Sequence, residues 1–181
     1  YCRLLKKSDW KAIAQLLSCT CDVLVAAGAV FIICPDNTVH EALNHRNLQT
    51  QAPWLHIAET VSAEAQSQNF KRLAILGTKY LMEGPVYRDQ LVPIGIHPVT
   101  PNLEERNQID SIIFDRLVFN RVTQKDLSDL LSIIERMQAE EKCDAVVLGC
   151  TELPLILNDE VSPLPTLDST RLLARAAIRE A

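Results

Sequence analysis

The sequence predicts an α/β fold of two pseudosymmetric lobes, each a mainly parallel sheet flanked by helices, and three observations carry that prediction. Short apolar runs at residues 30–34, 72–77 and 145–149 alternate with segments whose apolar residues recur at helical spacing. A run that is apolar on both faces suits a strand buried within a parallel sheet. Two of the runs continue into Cys/Asp/Asn/Thr chemistry where a helix should start, at residues 34–38 and 150–151. That echo suggests two similar lobes, with a ligand between the carboxyl ends of their sheets.

The elements follow in order. Ser8 can cap a helix carrying Trp10, Ile13, Ala14, Leu17, Cys21 and Leu24, and Gly28 suits the position just past its end. The run 30–34, stopped by Pro35, predicts the first strand, and Asp36-Asn37-Thr38 opens a helix. A short strand near 54–58 and a helix over 60–70 come next. The pattern restarts with a buried strand at 72–77, a helical stretch from Thr78 to Leu91, and a strand at 95–99 between Pro93 and Pro101. Ile109, Ile112, Ile113 and Leu117 form one helical stripe, and Leu127, Leu130, Leu131, Ile134 and Met137 form another. A third buried strand, 145–149, runs into Cys150-Thr151-Glu152-Leu153-Pro154. A last helix runs from Asp168 to the end, with Arg171, Arg175 and Arg179 on one face. This order divides the chain into an N-terminal lobe, 1–70, completed by 164–181, and a second lobe, 71–163.

Composition narrows the function. The chain has 181 residues, 48% of them hydrophobic, with 18 basic against 23 acidic side chains. Such a balance describes a globular protein and excludes a long disordered tail. Its acidic excess argues against a nucleic-acid or anionic-membrane partner. The longest uncharged apolar stretch, 23–34, is shorter than the roughly 18–20 residues of a membrane helix. None of the six cysteines is paired as C-x-x-C, and the histidines His45, His56 and His97 stand apart. We therefore expect free thiols in a reducing cytoplasm and no metal site. No phosphate loop, dinucleotide fingerprint or serine-nucleophile elbow is present. Five glycines are few for this length, and the first seven residues form neither a strand nor a cleavable signal peptide. An N-terminal segment absent from this sequence is the expectation.

Two places could carry chemistry. Cys150 directly follows a buried strand and precedes a helix start, where backbone N–H groups should lower the thiol's pKa. Against this, most cysteines act as small buried hydrophobes. An Asn37–Thr38 pair at a strand end can bind a carboxylate, although Asp, Asn and Thr also cap helices and form turns. His40 is expected to brace that loop. Gly77-Thr78 could donate to an anion.

Residues Val146-Val147-Leu148-Gly149-Cys150-Thr151-Glu152-Leu153-Pro154 resemble the C-terminal signature of the aspartate/glutamate racemase family. Asn37-Thr38-Val39-His40 resembles that family's Asn-Thr-x-His motif, and Leu76-Gly77-Thr78, Tyr87, Gly95-Ile96, Pro101 and the helix over 112–117 keep its order. The resemblance covers nearly the whole chain. It implies cofactor-independent racemisation of an acidic amino acid, aspartate or glutamate, without pyridoxal phosphate. One residue removes the α-proton and another supplies a proton from the opposite face, in a water-excluding cleft.

By this resemblance Cys150 is the second catalytic cysteine, Thr151 and Glu152 are its substrate-binding neighbours, and Asn37 and Thr38 bind the carboxylate. Thr78 is a substrate-side threonine, and Arg121 lies where many members carry a base for a side-chain carboxylate. The family's first catalytic cysteine is replaced by Asp36, with Cys34 two residues earlier. A carboxyl group ordinarily ionises near about 3.9 and so makes a poor proton donor at neutral pH unless burial raises it. Balanced two-way transfer is what this substitution tests. Two alternatives stay open: a single-cysteine isomerase or decarboxylase of the same superfamily, and an inactive dicarboxylate-binding paralogue. The resemblance further implies a cytoplasmic homodimer, and a first strand with a Gly-rich loop that residues 1–8 do not contain.

Overall fold

The computed structural model describes residues 2–44 and 52–181, so His45 lies outside the described residues. A single turn, α1 (Cys2–Leu5), leads into α2 (Trp10–Ala26). The cap is Asp9 rather than Ser8: its carboxylate accepts the Ala12 N–H at 3.1 Å, while Ser8 sits outside the helix at φ 51°. Gly28 follows the helix end in the left-handed region, at φ 97°.

The first strand is much shorter than its apolar run. β1 (Ile32–Ile33) pairs in parallel with β2 (Trp54–Leu55). Burial on both faces does not occur, because this sheet has two strands and α2 covers one face through Cys21 and Val25. Ile32 is buried there, whereas Ile33, pointing the other way, is 42% exposed. Between the two strands Thr38–Asn44 wind as 3-10 turns instead of an α-helix.

The second sheet matches its pattern closely. α3 (Ile57–Ser67) precedes β3 (Arg72–Leu76). The helical stretch expected from Thr78 to Leu91 splits into α4 (Lys79–Glu83) and α5 (Val86–Leu91). Pro85 lacks an N–H and disfavours helical geometry in the residue before it, so the break falls at Gly84-Pro85. β4 (His97–Val99) follows, then α6 (Leu103–Ser111), which runs on through a π-helical turn, Ile112–Arg116, and a 3-10 turn, Leu117–Phe119. α7 (Gln124–Ala139) leads to β5 (Ala145–Leu148), and α8 (Ser169–Glu180) closes the chain. β6 (Thr166–Asp168) was not anticipated, since three residues are too few to show a pattern.

All four strands of this sheet are parallel, in the order β4-β3-β5-β6. Alternate residues serve opposite layers. Ala74, Leu76, Val146 and Leu148 pack with Ile109 and Ile113 and with Leu130, Ile134 and Met137 of α7. Leu73, Ile75, Ala145 and Val147 pack with Ala58, Val61 and Ala65 of α3 and with Val86, Tyr87 and Leu91 of α5. Residues 57–67 and 166–168, grouped with the first lobe in the sequence division, thus pack on the four-stranded sheet or form part of it.

This order places a switch point between the carboxyl ends of β3 and β5, the usual position for a ligand crevice. Gly77 and Gly149 follow those two strands. The Gly149 N–H donates to Leu76 O at 2.7 Å, and a Cβ on Gly149 would fall 2.8 Å from that same oxygen. Only glycine permits so close an approach. Among the described residues, no helix is long and apolar enough to cross a membrane.

Candidate active site in the cleft between the lobes

A cleft of about 400 Å³ opens at the switch point. Asp36, Asn37 and Thr38 reach it from the first lobe, and Thr78, Cys150, Thr151 and Glu152 from the second. Seven of the eight candidate residues therefore converge. Arg121 is the exception: it is exposed, its guanidinium lies 5.6 Å from the Phe119 ring centre, and it does not line the cleft.

The first-lobe residues are held by side-chain bonds. Asp36 Oδ1 accepts the N–H groups of Thr38 at 3.0 Å and Val39 at 3.3 Å, capping the 3-10 segment while remaining on the cleft wall. Asn37 is buried. Its Oδ1 accepts the Tyr87 hydroxyl at 2.6 Å, and its Nδ2 donates to Ser169 Oγ at 3.0 Å. Ser169 in turn donates to Leu148 O at 2.8 Å, at the end of β5. Nδ2 carries a second hydrogen, and Asn37 lines the cleft. Thr38 Oγ1 lies 3.3 Å from Thr78 Oγ1, the residue that caps α4.

His40 stands behind this loop, fully buried. Its Nε2 lies 3.2 Å from Cys34 O, so that nitrogen carries the hydrogen. The ring meets His56 edge-on at 4.5 Å and Trp54 at 5.9 Å. Burial pulls His40 down to about 2 and His56 to about 4, so both are neutral and His40 acts as a brace. Cys34 lies past the end of β1 and does not line the cleft; burial pushes its thiol up.

Cys150 departs from the expected thiolate. Burial pushes its thiol up to about 12, and its hydrogen bond to Glu152 acts in the same direction. Sγ donates to Glu152 Oε2 at 2.9 Å, and Thr151 Oγ1 donates to the same oxygen at 2.7 Å. Burial alone would raise Glu152, but these two bonds hold it below the usual carboxylate range. The helix start meant to favour a thiolate is only a 3-10 turn, Leu153–Leu155, and the neighbouring charges, Glu152 and Asp36, are negative. At neutral pH the pair is a thiol beside a carboxylate, and the sulfur is a proton donor.

Sequence reasoning missed the apolar wall formed by Leu5, Pro35, Ile113, Phe114 and Val118. Phe114 and Val118 carried a signal: they sit four residues apart and off the stripe of Ile109, Ile112 and Leu117. Ser169 carried none, because a serine after an aspartate reads as a helix start. Among the described residues no group of His, Cys, Asp or Glu is arranged to hold a metal ion.

Known proteins share this architecture. A Yersinia pestis structure provisionally assigned as an Asp/Glu racemase superposes with a TM-score of 0.88 and 30% identity, over 98% of this chain and 77% of that one. PH1733, an aspartate racemase homologue from Pyrococcus horikoshii, gives 0.85 and 29%, over 94% and 75%. The broad specificity amino-acid racemase RacX of Bacillus subtilis is 23% identical over 86% of this chain, which spans 66% of its length. The Asp/Glu/Hydantoin racemase model matches residues 3–177, from α1 through most of α8. With nearly every residue within that match, the chain belongs to the Asp/Glu/Hydantoin racemase family.

Proposed function

We propose that the protein racemises an amino acid by moving its α-proton without a cofactor. One observation carries this reading: a carboxylate from the first lobe, Asp36, shares a cleft with a thiol from the second, Cys150, held in its protonated form. Asp36 takes the α-proton, and the electrons of the broken C–H bond spread into the substrate carboxylate. Cys150 then gives its S–H proton to the opposite face of that carbon. Asn37, and whichever of the Thr38 and Thr78 hydroxyls is not donating to the other, supply donors for the negative charge on the carboxylate, and Thr151 joins them only by turning its hydroxyl away from Glu152.

The carboxylate and the thiol fill complementary roles, which makes Asp36 useful as a base where it would fail as a donor. One turnover leaves Asp36 protonated and Cys150 as thiolate, and proton exchange with solvent restores the starting form. Because a racemisation has an equilibrium constant of unity, kcat/KM is equal in the two directions; the asymmetry between Asp36 and Cys150 shows in kcat. Deuterium incorporation at the α-carbon of each enantiomer tests the proposal. Conversion of one enantiomer into the other that survives unchanged in Cys150→Ser removes the mechanism.

An aspartate or glutamate substrate is what the family resemblance implies, and Arg121 was its candidate counter-ion. Arg121 lies outside the cleft and gives a side-chain carboxylate no counter-ion there. A homodimer in the cytoplasm belongs to the same reading, and sedimentation equilibrium as a monomer would remove the dimer.

The exclusion of Cys34 from the cleft favours one further reading. A lone thiol can protonate an enediolate left when a malonate-type acid loses carbon dioxide. Carbon dioxide release from such acids would establish it, and none would eliminate it.

A further inference from the structure

We infer that the side chain this cleft accepts is apolar and uncharged, an inference that rests on the racemase reading and deepens it. Among the described residues, those lining the cleft include two carboxylates, Asp36 and Glu152, and no lysine, arginine or histidine. Three cations of neighbouring elements are engaged elsewhere. Lys79 Nζ donates to Asn107 Oδ1 at 2.9 Å, Arg106 pairs with Glu83 at 3.3 Å, and Arg121 lies over Phe119.

An amino acid brings one ammonium and one carboxylate. The ammonium is matched by the two cleft anions, and the carboxylate by the hydroxyls and the Asn37 amide. A second carboxylate would stand beside like charge in a partly desolvated space, with no cation among the described lining residues to offset it.

The remaining wall is apolar. Leu5, Ile113, Phe114 and Val118 face the cleft, and Phe114 and Val118 are 44% and 50% exposed beside it. The π-helical turn and the 3-10 turn after it carry Phe114 and Val118, while Ile109, Ile112 and Leu117 stay in the core. Turns of this kind recur at functional sites because they re-aim side chains from a helix. Large apolar groups left exposed at a cleft mark a place that contacts ligand. A cationic side chain would suit the charge but would lie against this wall unpaired.

The experiment measures α-proton exchange in deuterium oxide, and calorimetric affinity, for leucine, methionine, phenylalanine, aspartate, glutamate and lysine. We expect kcat/KM for the apolar set to exceed that for the acids and lysine by at least about tenfold. Aspartate, glutamate or lysine turned over as fast overturns the inference and leaves racemisation standing. If no amino acid exchanges, the racemase reading fails and calorimetry decides alone. Tighter apolar binding then upholds the inference, and acidic, cationic or absent binding overturns it. Val118→Arg, at a half-exposed position, is expected to shift preference toward glutamate by about tenfold or more. Phe114→Arg is the second variant, and a folded protein of either kind with unchanged preference overturns the role of the wall.

Discussion

The two lobes hold their halves of the site by different means. In the second lobe Cys150 follows a strand whose four residues are all buried and which sits between two neighbours. In the first lobe Asp36 follows a two-residue strand with an exposed Ile33, and its loop is anchored by Asn37 to Tyr87 and Ser169 and by Thr38 to Thr78. Tyr87 and Thr78 belong to the second lobe, and Ser169 is itself bonded to Leu148 O at the end of β5. The loop that carries Asp36 is thus tied by hydrogen bonds to elements of the four-stranded sheet's lobe as well as by the short sheet it follows.

The largest effect expected from this comparison is at Cys150. Cys150→Ser should lower racemisation by about 10²–10⁴-fold, the usual worth of a positioned acid or base. Its melting temperature should stay close to that of the parent, because the strand beneath is unaltered. A large loss of stability in that variant would show that Cys150 serves packing.

Asn37→Ala should behave oppositely, losing activity and stability together. It takes away the acceptor of the buried Tyr87 hydroxyl, at about 1–3 kcal/mol for a stranded group, while Ser169 keeps its bond to Leu148 O. Urea denaturation reads the cost, and Tyr87→Phe in the Asn37→Ala background should recover part of it. If Asn37→Ala is as stable as the parent, the tethers do not hold the loop.

The same contrast explains what could be read from sequence. β3 and β5 were legible because burial on both faces leaves an unbroken apolar run, and the run then marks where Thr78 and Cys150 emerge. The run at 30–34 misled because apolar composition reports what a strand can bury, whereas Ile33 is exposed in a two-stranded sheet and Val30 is exposed ahead of the strand. The cleft residues Asn37, Thr38 and Glu152 were found through motif resemblance, which encodes spacing. The thiol's protonation was not legible: it depends on a carboxylate two residues on and on burial, neither of which spacing reveals. Arg121 lies outside the cleft, past the left-handed Asn120 that ends the 3-10 turn, a change of chain direction that spacing does not show.

Acid should test the first lobe selectively. His40 and His56 are held neutral by burial, at about 2 and about 4 against an ordinary 6.5. The unfolded chain takes up protons below 6.5 that the folded chain refuses, so stability is fully present above that pH and falls as pH drops toward 4. Within this window each histidine contributes about 1.4 kcal/mol per pH unit. Urea midpoints at pH 7 and pH 5 should differ accordingly, and His56→Gln should flatten the dependence. Equal midpoints in the parent would mean that neither ring is sealed from water.

The smallest expected effect sharpens the chemistry on the other side of the cleft. Glu152→Gln removes the carboxylate that, after burial, does most to hold the Cys150 proton in place. The thiol should then titrate lower than in the parent, yet still above a free cysteine, since its burial persists. Alkylation by iodoacetamide followed against pH reads the midpoint, because only the thiolate reacts. A midpoint that does not move would mean the bond from Sγ to Glu152 is too weak to set the sulfur's protonation. The second lobe would then hold its acid through burial alone.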